Sequence, residues 1–124
     1  MEKIKVLIAD DHRVVREGLA AILKTKDDIN VVGEAQDGVE AVEKTKTLMP
    51  DVILMDVSMP RMGGIEATRQ IKREFPHMGI VALTMYEEQQ YIFDLVRAGA
   101  TGYLLKDSES SQIVAAIRAI YRGE

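Results

Sequence analysis

The chain has no cysteine and no tryptophan among its 124 residues, and only 2 phenylalanines, 3 prolines and 2 histidines. Without cysteine there is neither a disulfide framework nor a thiolate metal site, so nothing points to an oxidising compartment. No apolar run approaches the roughly 20 residues that a membrane helix needs, and Met1 is not followed by a secretory pattern. The sequence therefore reads as cytoplasmic, with no membrane partner. Positive charge is not in excess either. Lys and Arg number 16 against 20 Asp and Glu, a net charge of -4, and the basic footprint of a nucleic-acid binder is missing. Contact with DNA would need another segment. What is left is an ordinary globular composition, 47 % hydrophobic and 29 % charged, at a length that suits one domain.

Short apolar runs alternate with longer stretches of helical period from end to end. Val6-Leu7-Ile8-Ala9 ends in Asp10-Asp11, and a weaker run, Val31-Val32-Gly33, closes at Asp37-Gly38. Val52-Ile53-Leu54-Met55 ends at Asp56, Ile80-Val81-Ala82-Leu83 at Thr84, and Tyr103-Leu104-Leu105 at Lys106. Runs this short, apolar throughout and rich in β-branched residues, predict strands of a parallel sheet buried on both faces. Between them Val15, Leu19, Ile22 and Leu23 share a helical face, as do Ile65, Thr68, Ile71 and Phe75, then Ile92, Leu95 and Val96. Ile113, Ala116, Ile117, Ile120 and Tyr121 repeat at i, i+3, i+4, i+7 and i+8, with Ser110 or Ser111 as candidate N-cap. Val39 to Met49 is the weakest helix, bounded by Gly38 and Pro50, and Gly123 reads as a helix terminator leading into a linker. Five such βα units predict a single α/β domain built on one open, doubly wound sheet.

Open α/β sheets place their working residues beyond the carboxyl ends of the strands. By that rule Asp10, Asp11, Asp56, Thr84 and Lys106 converge on one edge, while the second strand delivers no comparable residue. Carboxylates brought together repel one another unless a cation sits among them or one takes a proton. A ligand set of oxygens alone suits a hard divalent ion such as Mg²⁺ or Mn²⁺. Such an ion offsets the charge of an incoming phosphoryl group. Lys106 supplies a second positive charge, Thr84 a hydroxyl donor, and Asp56 is the natural nucleophile because aspartate forms an acyl phosphate. His12 and His77 have no partner at ligand spacing and read as surface residues. Gly33 to Gly38 lacks the lysine and hydroxyl of a P-loop.

In this order, these residues resemble the receiver domain of bacterial two-component response regulators over essentially the whole chain. Asp10-Asp11, Asp56, Thr84 and Lys106 carry the resemblance, with Met59-Pro60, Gly63-Gly64, and Tyr103 three residues before the lysine. Asp10-Asp11-His12, Arg16-Glu17-Gly18-Leu19, Gly33-Glu34-Ala35 and the run from Ala98 to Asp107 are similar to the NarL/FixJ branch. The resemblance implies a CheY-like, flavodoxin-like (βα)5 receiver over residues 1–124 with strand order 2-1-3-4-5. It implies that Asp56 accepts a phosphoryl group from a sensor histidine kinase, that Asp10, Asp11, Asp56 and the backbone carbonyl of Ser58 hold the metal, and that no external substrate is turned over. Thr84 and Tyr103 would form a switch pair acting on the face of the fourth helix, fifth strand and fifth helix. That face includes Ile92 and Val96. Homodimerisation on phosphorylation and transcription regulation, through a LuxR-type helix-turn-helix DNA-binding domain beyond Glu124, complete the expectation. One position departs from the family: Met85 follows the threonine where a small residue is usual, so its rates do not transfer. Ser58 and Tyr86 flank the site where hydrolysis would be tuned. A stand-alone receiver acting through protein contacts would share every one of these residues. A haloacid-dehalogenase-type phosphotransferase would need a second Asp at position 58, where Ser58 stands, and a cap insertion that is absent.

Overall fold

In the computed structural model, which describes residues 3–85 and 89–123, the alternation of runs becomes an alternation of strands and helices. The elements are β1 (Ile4–Ala9), α1 (Arg13–Lys24), β2 (Ile29–Ala35), α2 (Gly38–Leu48), β3 (Val52–Asp56), α3 (Gly64–Glu74), β4 (Gly79–Thr84), α4 (Gln89–Ala98), β5 (Gly102–Leu105) and α5 (Ser110–Tyr121). All strand pairs are parallel, in the expected order β2-β1-β3-β4-β5. Connections reverse direction between β1 and β3, and such a reversal opens a crevice at the carboxyl ends of the strands.

Helices cover both faces of the sheet, and this is why its central strands are apolar throughout. Successive side chains of a strand point to opposite faces. Val6 and Ile8 of β1 accordingly meet Ala20 and Leu23 of α1 and Ile113, Val114 and Ile117 of α5. Leu7 and Ala9 meet Ala41 of α2 and Ala67 and Ile71 of α3 on the other side. Leu95 of α4 packs with Ala82 and Val57. Every residue of β3 and β4 is buried as a result.

Three local expectations are corrected. β2 runs from Ile29 to Ala35, beyond the short Val31–Gly33 run, and its central residues are only half-buried because it lies at the sheet edge. Its register steps over Val32, with Val6 opposite Val31 but Leu7 opposite Gly33, as a bulge does. In α1 the core-facing residues are Ala20 and Leu23 with Leu19 beside them, whereas Val15 and Ile22 stay 37 % and 38 % exposed. The inward stripe runs through positions 16, 19, 20 and 23, which leaves 15 and 22 on the flank. Finally, α5 is capped by Glu109 rather than Ser110 or Ser111: Gln112 Oε1 accepts the Glu109 N–H at 3.2 Å, a reciprocal box that starts the helix one residue earlier. The weakly patterned α2 owes its start to Asp37, whose side chain accepts the Glu40 N–H, and its end to Met49 in the left-handed region at φ 47°.

Candidate functional site

Asp10 follows β1 and is fully buried. Its N–H donates to Ala35 O on β2, its Oδ1 accepts the His12 N–H at 2.8 Å, and its carbonyl accepts Arg16 Nη1 at 2.7 Å. Arg16 is anchored in turn by Glu34. Asp56 is the last residue of β3, in register with Leu83 of β4, and its Oδ1 accepts the Ser58 N–H at 3.4 Å. Lys106 leaves β5 with its N–H on Thr84 O, and its Nζ lies 3.1 Å from Asp10 Oδ2 and 3.0 Å from Asp56 Oδ2. Asp11 sits at the rim, its side chain 28 % exposed. Asp10, Asp11, His12 and Asp56 each offer a ligand atom, all within 4.8 Å of one another.

Electrostatics follow from that crowding. Burial, joined by the charge on Asp10, pushes the Asp56 carboxyl up to about 6 although Lys106 opposes it. Burial pulls the Lys106 ammonium down, but the ion pairs with Asp56 and Asp10 outweigh it and raise its pKa. Lys106 therefore stays cationic. Asp11 Oδ1 is buried without a hydrogen-bond partner, and the buried Asp10 Oδ2 and Asp56 Oδ2 have only the one Lys106 ammonium between them, at 3.1 and 3.0 Å. Buried acceptors left unsatisfied are costly. A convergent set of them fits a hard divalent cation such as Mg²⁺.

Thr84, the last residue of β4, is buried at the same edge and pairs with Leu105, while Tyr103 pairs with Ala82 and is 45 % exposed. Ser58 is exposed in the loop after β3, and Met85 is exposed after β4. Tyr86, Glu87 and Glu88 lie outside the described residues. His77 is exposed before β4, beside a hollow shared with Asp51, Lys72 and Thr101 at the opposite ends of the strands. His12 is the expected surface residue, but the expectation that it has no partner is corrected: Nδ1 lies 3.1 Å from Asp11 Oδ1 and 3.3 Å from Asp10 Oδ1. Adjacency to the acid pair was the available signal.

A second feature went unread in the sequence. Arg61 forks onto Asp37, Nε to Oδ2 at 2.9 Å and Nη2 to Oδ1 at 3.3 Å, and holds that carboxyl below its usual range. Together with the Gly38 N–H on Met62 O, this clamps the β3–α3 loop to the start of α2. So the turn after β2 contributes a residue after all, one that braces the loop following Asp56.

A doubly wound sheet with an acid cluster and a lysine at its carboxyl edge defines the class of phosphoryl-signalling receivers. The response regulator receiver domain model matches residues 6–118, and the chain belongs to that family. The oxygen regulatory protein NreC of Staphylococcus carnosus is 47 % identical over 122 residues, 98 % of this chain and 56 % of that protein. The uncharacterized transcriptional regulatory protein YxjL of Bacillus subtilis is 47 % identical over 123 residues, again 56 % of its length. The chain thus spans about half the length of the curated relatives it matches. The signal receiver domain of NarL from Mycobacterium tuberculosis superposes with a TM-score of 0.96 at 35 % identity, covering both chains completely. The isolated receiver of RcsB from Salmonella enterica gives 0.89 at 30 % identity, over 99 % of this chain and 91 % of that one. This places the chain with the NarL- and NreC-type regulators. Response regulator receivers are signalling domains. Among the described residues, no helix is long and apolar enough to cross a membrane.

Proposed function

We propose that Asp56 is the phosphoacceptor of a cytoplasmic two-component switch, charged by a sensor histidine kinase with Mg²⁺ or Mn²⁺ at the acid cluster. The reading rests on one observation: Asp10 and Asp56 hold Lys106 Nζ between them at 3.1 and 3.0 Å, at the sheet edge where open α/β folds bind ligands. Asp56 ends a strand whose register fixes it, so its carboxylate meets phosphorus with little reorganisation. An Asp56 oxygen bonds to phosphorus as the phosphorus–nitrogen bond of the kinase phosphohistidine breaks, and that electron pair stays on the imidazole. Lys106 passes from the Asp56 carboxylate to the phosphoryl oxygens, and the Thr84 hydroxyl donates to them. Asp10, Asp11, Asp56 and the Ser58 backbone carbonyl would hold the divalent ion, which when bound supplies charge compensation to the phosphoryl group.

Readout runs through Thr84 and Tyr103. Thr84 turns toward the phosphoryl group and Tyr103, exposed on the neighbouring strand, turns into the space released. The altered face of α4, β5 and α5 promotes homodimerisation. The output is transcription regulation by a LuxR-type helix-turn-helix domain following residue 124, a reading supported by the relatives' length and by the regulatory protein YxjL. The test is labelling with acetyl phosphate and Mg²⁺. One phosphoryl group per chain is expected, none in Asp56→Asn, and none after EDTA treatment. Labelling that survives the substitution moves the nucleophile elsewhere, and transfer unimpaired by EDTA removes the metal from the mechanism.

A further inference from the structure

One member of the acid cluster has no part in the phosphoryl chemistry. His12 occupies the N-cap of α1, yet its side chain makes no capping hydrogen bond. The ring instead faces the acids, Nδ1 lying 3.1 Å from Asp11 Oδ1 and 3.3 Å from Asp10 Oδ1. Neighbouring ligands on one tetrahedral or octahedral ion, with bonds of about 2.0–2.2 Å, stand about 3.0–3.5 Å apart. The ring nitrogen is therefore spaced from both carboxylates as an adjacent ligand would be. Both approaches are at ion-pair distance, and Asp11 Oδ1 is buried and accepts no aligned hydrogen bond. Asp10 and Asp56, whose side chains are 0 % and 3 % exposed, share the single Lys106 ammonium through Oδ2 at 3.1 and 3.0 Å, so three carboxylates meet one cation beside the ring.

We propose that His12 Nδ1 is a further ligand at this site and converts an all-oxygen set into a mixed nitrogen–oxygen one suited to borderline first-row ions. This rests on reading the cluster as a metal site. A neutral imidazole adds strongly to the binding of Co²⁺ or Ni²⁺ and little to that of Mg²⁺, which keeps oxygens and water. His12 is 67 % exposed, so its ring reaches an ion without disturbing the core, and its removal leaves the packing of α1 intact. The site then discriminates between metals through one residue outside the phosphorylation set.

The experiment titrates the chain calorimetrically with Ni²⁺ and separately with Mg²⁺, for the wild type, His12→Ala and Asp11→Asn. Pulsed EPR of the Mn²⁺-loaded protein reads nitrogen coupling directly. His12→Ala is expected to weaken Ni²⁺ binding about tenfold or more while leaving Mg²⁺ within about twofold, and to abolish the nitrogen signal. Unchanged Ni²⁺ affinity in His12→Ala, an equal loss for both ions, or a nitrogen coupling that persists in the variant overturns the proposal. Asp11→Asn is expected to weaken both ions. If it weakens neither, the metal site itself fails and the His12 ligand with it, an outcome distinct from failure of His12 alone.

Discussion

Asp56 is destabilising to the metal-free fold at the pH where it is useful. Its carboxyl titrates near 6 in the folded chain, above the ordinary 3.8, because burial and Asp10 disfavour the charged form. A carboxyl raised on folding binds more protons in the native state, so its contribution to stability grows as pH falls from about 6 toward 3.8 and is lost above 6. Asp56→Asn removes the repulsion, and the metal-free variant is expected to melt higher than the wild type near neutral pH, by roughly 4 °C for each kcal/mol relieved. Scanning calorimetry across pH checks this: the gap should close as the wild-type carboxyl protonates, and a variant that melts lower at neutral pH contradicts the repulsion. Metal affinity follows the same group. A ligand must lose its proton to bind, so Mg²⁺ binding weakens as pH falls through about 6. Calorimetric titrations on either side of that value measure it, and an affinity flat across them takes Asp56 out of the ligand set.

Among the elements, the β3–α3 connection carries the tightest constraints. A Cβ on Gly64 would meet Asp56 O at 2.0 Å and Val57 Cα at 2.9 Å, and one on Gly38 would meet Met62 O at 2.2 Å. Both neighbours are backbone that cannot turn aside. Gly64→Ala is expected to destabilise the chain by about 1–3 kcal/mol, as overpacking does, with urea unfolding as the measure; unchanged stability would mean that the loop is free to move. The Gly63-Gly64 pair was visible in the sequence, but its contact with the carbonyl of Asp56 itself was not. Legibility tracked burial. β1, β3 and β4 are covered on both faces, so their runs are apolar at nearly every residue and their ends place Asp10, Asp56 and Thr84 by inspection. β2 lies at the edge and is half-buried at most positions, so only its middle showed as a run. Serine at a helix start misled at α5 because the reciprocal Glu109–Gln112 pair governs there. Two contacts left no pattern at all: Arg61 reaches Asp37 across 24 residues, and the direction of the His12 ring is set by the turn after β1.

For the molecule as a whole, the question is how an event at one sheet edge reaches a flank. The sheet is rigid, its central strands buried throughout, so a local charge cannot propagate by deforming them. It needs an element with two arrangements. Tyr103 is suited to that role: it is 45 % exposed on the edge strand β5, which packs against α4, where Phe93 is 56 % and Val96 63 % exposed. Arg97 stacks 5.5 Å from the Phe93 ring, so this apolar flank is only partly shielded by charge. A ring turning inward from such a surface changes both its shape and its hydration, which suits a face that pairs with a second copy. Couplings of this kind amount to about 1–3 kcal/mol, so phosphorylation is expected to tighten self-association by about 5- to 150-fold. Sedimentation and amide exchange on the phosphorylated and unmodified chain check it together. Exchange should change in α4 and β5 while β1 and β3 stay as they were, and Asp56→Asn should show neither effect. A fully phosphorylated chain with unaltered exchange in β5 would separate Tyr103 from the chemistry at Asp56 and leave the signal to travel by the β3–α3 loop.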